Sequence, residues 1–396
     1  MKKFFALIIV LLAFQTANAQ WVLQNSDNTN WLFSTYFVNS NIGYVAGGYG
    51  MILKTINGGQ DWSALNSGTS TDHFYSIFFV NADTGYAVGE PSAFYKTTDG
   101  GVTWEKKPIG TNSTLYSVFF TSSDTGYIAG TNQTLGKTTD GGTNWTYQPF
   151  YAWTYRSVFF TNPNTGYAVG ESVFKKTIDG GANWIQQSGM WGNYLQVYFP
   201  TTDTGYIAAD SGKIFKTTDA GNTWTPYFTG GVQTLLTMYF TDAMTGYVGG
   251  GTTGPDANFI LKTNNGGLTW SNQVPANSKV IRSIYFPAKD TGFAIGNNGT
   301  IMKTINGGIA NVDSYDMSAT VNIFPNPTSG YLNIETSSDN ELSQISICNL
   351  LGQELLRQSL AGKNNHVDIS NLNNGIYIIK LTDENSAMLS RIIVKE

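Results

Sequence analysis

The chain has 396 residues, a formal charge of −5, 12% charged and 14% aromatic side chains, 44 glycines and one cysteine, Cys348. Mild acidity excludes the basic face that nucleic acid requires, and a lone cysteine excludes an intramolecular disulfide, leaving burial and sheet closure to supply stability. Much glycine and aromatic residue with little charge suits a many-stranded sheet protein with tight turns.

In chain order, the first element is a targeting segment. Lys2 and Lys3 precede an apolar run from Phe4 to Phe14, and Ala17-Asn18-Ala19 forms a small-residue cleavage site before Gln20. This predicts a secretory signal peptide over residues 1–19, too short and wrongly flanked for a membrane span. Its removal takes two lysines and leaves the mature chain at −7. No other run approaches the roughly 20 apolar residues of a spanning helix, so no transmembrane segment is expected. The mature protein is expected to be secreted or held at the outer-membrane cell surface.

Residues 20–310 repeat one phrase at a period of roughly 40 residues. Gly-aromatic pairs begin at Gly43, Gly85, Gly126, Gly166, Gly205, Gly246 and Gly292, and Lys-Thr pairs at Lys54, Lys96, Lys137, Lys176, Lys216, Lys262 and Lys303. The second repeat shows the unit: strand A over 74–79, a turn at 81–84, strand B over 85–89, a loop over 90–93, strand C over 94–97, a glycine turn at 99–101, and strand D opening at Trp104. Four short strands per repeat predict an all-β chain, a seven-bladed β-propeller. The seventh repeat lacks a tryptophan after Gly308, while the mature chain opens with Trp21-Val22-Leu23-Gln24. The N-terminal strand is therefore expected to complete the last blade and satisfy two sheet edges.

The turn between strands C and D resembles the Asp-box (BNR) hairpin, Ser/Thr-x-Asp-x-Gly-x-Thr-Trp. Thr97, Asp99, Gly101, Thr103 and Trp104 match it, as do Thr217, Asp219, Gly221, Thr223 and Trp224. Repeats 3 and 4 keep Asp140 and Asp179, and repeats 1, 6 and 7 carry Asn57, Asn265 and Asn306. Aspartate and asparagine cap a turn equally well, whereas a catalytic acid would not tolerate the amide; these residues read as structural. The recurring lysine reads as a packing or rim position. The whole pattern resembles the Asp-box propellers of the photosystem II stability/assembly factor-like family. That resemblance covers roughly residues 21–310 and implies seven blades; it says little about function.

Residues 311–319 read as a linker. Beyond them, strands are predicted at 331–334, 344–349, 354–359, 376–382 and 387–394, with turns at 351–352, 364–365 and 373–375. These describe a small Ig-like β-sandwich over residues 320–396, in which Cys348 reads as a buried small apolar residue. The module resembles the type A sorting domain of the type IX secretion system through Pro325-Asn326-Pro327 with Gly330, then 349–353, then Asn374-Gly375-Ile376-Tyr377, and a basic tail at Lys395. The resemblance implies the type IX secretion machinery as partner, with the domain cleaved and the cargo released or attached to the surface. A generic Ig-like binding module is the alternative.

Little standard catalytic chemistry is present. Residues 20–310 hold one histidine, His73, and no cysteine, so neither a metal site nor a cofactor is expected. His73 beside Asp72 could be a triad fragment or a solvated loop residue. Only Arg156 and Arg282 lie in this region, too few for the three-arginine carboxylate clamp of a sialidase. The glycine-rich stretch 250–256 has no following Gly-Lys-Ser/Thr and reads as an insertion in the sixth blade. Better candidates follow strand B, where successive repeats place Gly48, Glu90, Thr131, Glu171, Asp210, Gly251 and Asn297 on one face. Connections from strand D to the next strand A are expected on that face with aromatics, giving a candidate ligand set of Glu90, Glu171, Asp210, Tyr151, Trp153, Trp191, Tyr194 and Phe228. Rings that stack on sugars beside acids that bond hydroxyls suit a glycan site. Carboxylates spaced about 5–9 Å apart would permit glycoside hydrolysis. The leading expectation is a binding scaffold for glycan or protein. The alternatives are a glycoside hydrolase or lyase using Glu90, Glu171 and Asp210, and an assembly factor for envelope proteins.

Overall fold

The computed structural model describes residues 21–148, 154–187, 192–231, 234–251, 259–273, 279–308, 321–336, 342–349, 353–383 and 388–396. Regular structure among the described residues is β throughout. Their contacts fall into two units, one within residues 18–310 and one within 311–396. The expected leader at 1–19, the expected linker at 311–319 and residues 252–256 of the expected insertion lie outside the described residues.

The first unit holds seven four-stranded antiparallel sheets. Sheet 2 is typical, with strand A at His73–Phe79, B at Gly85–Glu90, C at Ala93–Thr97 and D at Glu105–Lys106. Strand B is buried along both faces in all seven sheets, while strand D is two to four residues long and mostly exposed. Short outer strands expose little unpaired edge.

The repeated Gly-aromatic pair has a packing cause. A Cβ on Gly43, Gly85, Gly126, Gly166, Gly205, Gly246 or Gly292 would stand 2.3–2.5 Å from the phenylalanine ring that ends or directly follows strand A of the same sheet. The glycine makes room for that ring, and the ring stacks on the aromatic of the preceding sheet. Centroid distances run from 3.8 to 4.3 Å across the seven pairs, the last joining Phe293 of sheet 7 to Phe37 of sheet 1. A second set of rings, Tyr36, Phe78, Phe119, Phe159, Tyr198, Tyr239 and Tyr285, makes successive contacts of 5.0–5.4 Å that return from Tyr285 to Tyr36. Such pairs add about 0.5–1.5 kcal/mol each beyond the area they bury.

The lysines clamp neighbouring sheets. Lys54 Nζ and Tyr44 Oη both donate to the Gly100 carbonyl in the turn of the next sheet, each at 2.8 Å. The same pair recurs at Tyr86 and Lys96 on Gly141, Tyr167 and Lys176 on Ala220, Tyr206 and Lys216 on Gly266, and Tyr247 and Lys262 on Gly307. Burial pushes the lysine pKa down at Lys176, Lys216, Lys262 and Lys303. Lys303 donates to the Gly58 carbonyl at 2.7 Å, but its sheet carries Phe293 in place of tyrosine. Phe293→Tyr should supply the missing donor and stabilise the protein by about 0.5–1.5 kcal/mol, read as a raised denaturant midpoint with an unchanged m value.

The seventh sheet takes its fourth strand from the other end of the unit. Val22–Gln24 pairs antiparallel with Ile301–Thr304, matching Val22 to Lys303 and Gln24 to Ile301. Trp21 meets Phe286 edge-on at 5.9 Å, as Trp104 meets Phe79 in sheet 2 at 6.0 Å.

The Asp-box residues act on their own turns. Thr97 Oγ1 donates to Asp99 Oδ1 at 2.8 Å and accepts the Gly101 amide at 2.9 Å, while Asp99 Oδ1 accepts the Thr103 amide at 2.9 Å. Asn57 and Asn265 accept the equivalent amides of Asp61 and Thr269 through Oδ1, so the amide does the work of the acid. Hydrogen bonds from the Thr or Asn four residues on are the largest cause holding Asp99, Asp140, Asp179 and Asp219 at about 2, below the ordinary 3.8. Because the folded pKa is depressed, this contribution is complete above about pH 4 and lost as pH falls towards 2. The melting temperature should fall across that window, and replacing all four with asparagine, which resembles the protonated acid, should flatten the fall by lowering the melting temperature at pH 7 towards its acid value.

The second unit has two sheets. One orders Val321–Phe324, Tyr331–Thr336 and Asn364–Asp368; the other orders Glu354–Ser359, Leu342–Cys348, Gly375–Asp383 and Met388–Lys395. Leu332, Ile334 and Val367 of the first share one core with Ile345, Ile347, Ile379 and Leu381 of the second. Cys348 is buried with a free thiol. The sequence signal at 364–365 is not a turn: Asn364–Asp368 is a strand paired with residues 331–335. It has one neighbour and one fully buried side chain, Val367, so its outward polar residues hide the strand pattern.

Candidate ligand-binding face

The residues that follow strand B hold equivalent places. The amides of Gly48, Thr131, Glu171, Asp210 and Asn297 donate to the carbonyls of Trp31, Thr114, Thr154, Asn193 and Val280, each just before a strand A, at 2.8–3.2 Å. The B–C turns also bond the entries to neighbouring sheets, through Gly50 N to Asp72 O, Ser172 N to Gly192 O and Gly299 N to Asn30 O at 2.6–3.1 Å. B–C turns and D–A connections thus share one face. A bulge near the start of each strand A lies between paired residues such as Phe74 and Ser76. Tyr75, Arg156 and Arg282 sit in three of these bulges and engage Glu90, Glu171 and Asn297.

The three candidate acids are each engaged. Glu90 accepts a short hydrogen bond from Tyr75 Oη and a 3.3 Å bond from Thr114 Oγ1. Burial, and then the bond to Glu90, push the Tyr75 pKa up. Glu171 pairs with Arg156 at 2.7 Å, and the Arg156 guanidinium lies 4.2 Å from the Tyr116 ring centre. Asp210 accepts from Asn193 Nδ2 at 3.1 Å. Phe228 ends strand D of sheet 5 and is 60% exposed. Tyr151, Trp153 and Trp191 lie outside the described residues.

One candidate is corrected. Tyr194 is not on the surface: it opens strand A of sheet 5, is 1% exposed and meets Phe215 edge-on at 5.8 Å. The residue at this register is a core position in the other sheets too, as at Leu32, Phe74, Leu115 and Tyr155, and an aromatic there fills the core. His73 opens a strand rather than lying in a loop, and packs on Tyr49 at 4.8 Å. It forms no dyad with Asp72. Buried Asp72 accepts from Tyr95 at 2.9 Å and Lys106 at 2.7 Å. Burial opposes its ionisation, but the bonds from Lys106 and Tyr95 and the lysine charge outweigh it and lower its pKa.

Two residues on this face escaped the sequence reading. Trp31 and Tyr49 are 49% and 62% exposed, and Arg282 packs 5.2 Å from the centres of both the Trp31 and Phe33 rings. Arg282 donates from Nε to Asn297 Oδ1 at 2.7 Å, and burial lowers its pKa. The available signal was the phrase Gly48-Tyr49-Gly50, an aromatic inside a glycine turn.

The sequence matches the family profile described as photosynthesis system II assembly factor YCF48 over residues 13–111 and 104–230, more than half of the chain. The chain belongs to the YCF48 family. Residues 322–395 match the secretion system C-terminal sorting domain, which hands its carrier to the type IX secretion machinery and makes this YCF48-family chain a secreted or cell-surface protein. Two solved YCF48 structures resemble it. A YCF48 bound to D1 peptide has a TM-score of 0.61 at 20% identity, covering 74% of this chain and 96% of that one. YCF48 from Cyanidioschyzon merolae has a TM-score of 0.60 at 19% identity, covering 72% and 98%. The GH74 xyloglucanase from Xanthomonas campestris reaches 0.60 at 11% identity, covering 80% of this chain and 59% of that one. At these identities the likeness establishes the propeller fold alone. No curated protein matches the chain. No described helix is long and apolar enough to cross a membrane, and no group of three or more described His, Cys, Asp or Glu side chains could hold a metal ion.

Proposed function

We propose that this is a secreted or surface binding scaffold, a closed seven-bladed propeller that presents its B–C-turn face to a glycan or protein. The leader at 1–19 and an Ig-like sorting sandwich over 320–396 deliver it through the type IX pathway. One observation carries the reading: the repeated residues are consumed by the fold, whereas this face is where the repeats differ. The clamping lysines, stacked rings and Asp-box acids all bond inside their own or the next sheet. What varies from sheet to sheet is Gly48, Glu90, Thr131, Glu171, Asp210 and Asn297, with aromatics beside them.

A second reading, an assembly factor for envelope proteins, is favoured by the likeness to a YCF48 that binds a peptide. Hydrolysis or lyase chemistry has weaker support, because Glu171 is neutralised by Arg156 and Glu90 is bonded to Tyr75. The mature chain should retain a ligand on a glycan array or in a pulldown from an envelope fraction, and Glu171→Gln with Asp210→Asn should weaken retention without changing the fold. Turnover lost with binding retained supports the enzyme. Silence in both assays contradicts a binding scaffold.

A further inference from the structure

On this face, between sheets 1 and 2, a cavity of about 310 Å³ is lined by Asn30, Trp31, Phe33, Gly48, Tyr49 and His73. Its size lies at the lower end for small-ligand sites. It exists because sheet 1 departs from its neighbours at two adjacent positions. The first is Gly48, which stands where sheets 2, 4 and 5 have Glu90, Glu171 and Asp210. A Cβ on Gly48 would already come within 3.2 Å of His73 Nδ1, so a longer side chain there would fill the cavity.

The second departure is Tyr49. Sheets 1, 3, 5 and 7 close strands B and C with the same four-residue turn, seen in the bonds Met51 N to Gly48 O, Thr134 N to Thr131 O, Lys213 N to Asp210 O and Thr300 N to Asn297 O. The second residue of each is left-handed, with φ of 58° at Tyr49, 51° at Asn132, 55° at Ser211 and 55° at Asn298. Turns of this kind favour asparagine, aspartate and glycine there, and asparagine bears the left-handed backbone more readily than a bulky ring. Tyrosine is the poorest of the four for the turn, and its ring is exposed, so stability does not account for it. Backbone strain of this kind gathers at binding sites.

We infer that this cavity binds a single pyranose unit of a glycan, with Trp31 and Tyr49 as stacking platforms and Asn30 and His73 bonding its hydroxyls. The assignment rests on the reading of this face as the ligand face. Exposed rings with polar groups between them match a sugar, which offers apolar C–H faces and equatorial hydroxyls. A quaternary ammonium would also suit an aromatic cage, but none of the lining residues is a carboxylate and the Arg282 guanidinium already lies over Trp31 and Phe33. A cationic ligand is thereby disfavoured.

The test uses the mature chain, residues 20–396, on an array of neutral, uronate and sialylated oligosaccharides, followed by calorimetric titration with the best of them. Trp31→Ala and Tyr49→Asn should each weaken binding at least tenfold. Tyr49→Asn should also raise the melting temperature by about 2–4 °C, which separates lost contact from lost fold. No sugar bound, or wild-type affinity in both variants, overturns the assignment. Binding of a proline-rich or trimethyl-lysine peptide through Trp31, without sugar, overturns it too. Capture of an envelope protein that survives both substitutions but is lost in Glu171→Gln leaves the binding-face reading intact and removes the sugar site alone.

Discussion

Trp21→Ala should destabilise the mature protein by about 3–5 kcal/mol, lowering its melting temperature by about 6–20 °C. Residues this close to the expected mature N-terminus are ordinarily expendable. Here Trp21 is 1% exposed and packs with Ile260, Ile281, Ile284 and Met302, and its ring meets Tyr247 and Phe286 edge-on at 6.3 and 5.9 Å. Deleting residues 21–26 should do more. It removes the pairing of Val22–Gln24 with Ile301–Thr304 and the 2.6 Å bond from Ser26 Oγ to the Gly299 carbonyl. It also bares an edge on sheet 7. The deletion should abolish the cooperative transition of the first unit in calorimetry and promote aggregation. A truncated protein melting within a few degrees of the wild type would contradict the structural role given to this strand.

Gly166→Ala should cost about 1–3 kcal/mol, although it adds one methyl group. The new Cβ would stand 2.4–2.7 Å from three atoms of the Phe160 ring. That ring cannot step aside, since it stacks on Tyr127 at 3.8 Å and meets Trp184 edge-on at 5.8 Å. Phe160→Ala should cost about 3–5 kcal/mol by opening a cavity. In that background the glycine substitution should cost little, so the cycle should show a coupling of about 1–3 kcal/mol. Simple additivity in urea unfolding would mean the glycine is kept for backbone freedom, not for the ring.

Much of this architecture was legible because its causes repeat. A glycine beneath a phenylalanine, a tyrosine stacked on the next sheet and an Asp or Asn inside a turn recur in copy after copy, so the period itself reports them. The missing tryptophan of the seventh repeat and the surplus Trp21 together gave the pairing with Ile301–Thr304. Features lacking a periodic echo were harder to see. Asn364–Asp368 buries one side chain fully, Val367, and so reads as a turn. Tyr194 carries the type of residue a sugar platform uses, yet its place at the head of strand A sends it into the core. Tyr49 went unmarked because its significance lies in a backbone angle, which a residue type alone does not declare. The acids at 90, 171 and 210 end or follow strand B of their sheets, but their bonds to Tyr75, Arg156 and Asn193 depend on neighbouring side chains that no spacing rule anticipates.

On the proposed function, the repeat builds the fold and the face where the repeats differ does the work. One measurement tests it directly: ligand retention and melting temperature, side by side, for two multiple variants of the mature chain. The first replaces Trp31, Tyr49, Glu171 and Asp210 on the B–C-turn face; the second converts Asp99, Asp140, Asp179 and Asp219 to asparagine. The first should lose its glycan or envelope ligand and melt within a few degrees of the wild type, and the second should melt lower at pH 7 yet keep its ligand. Retained binding in the first variant, or lost binding in the second, would contradict the account.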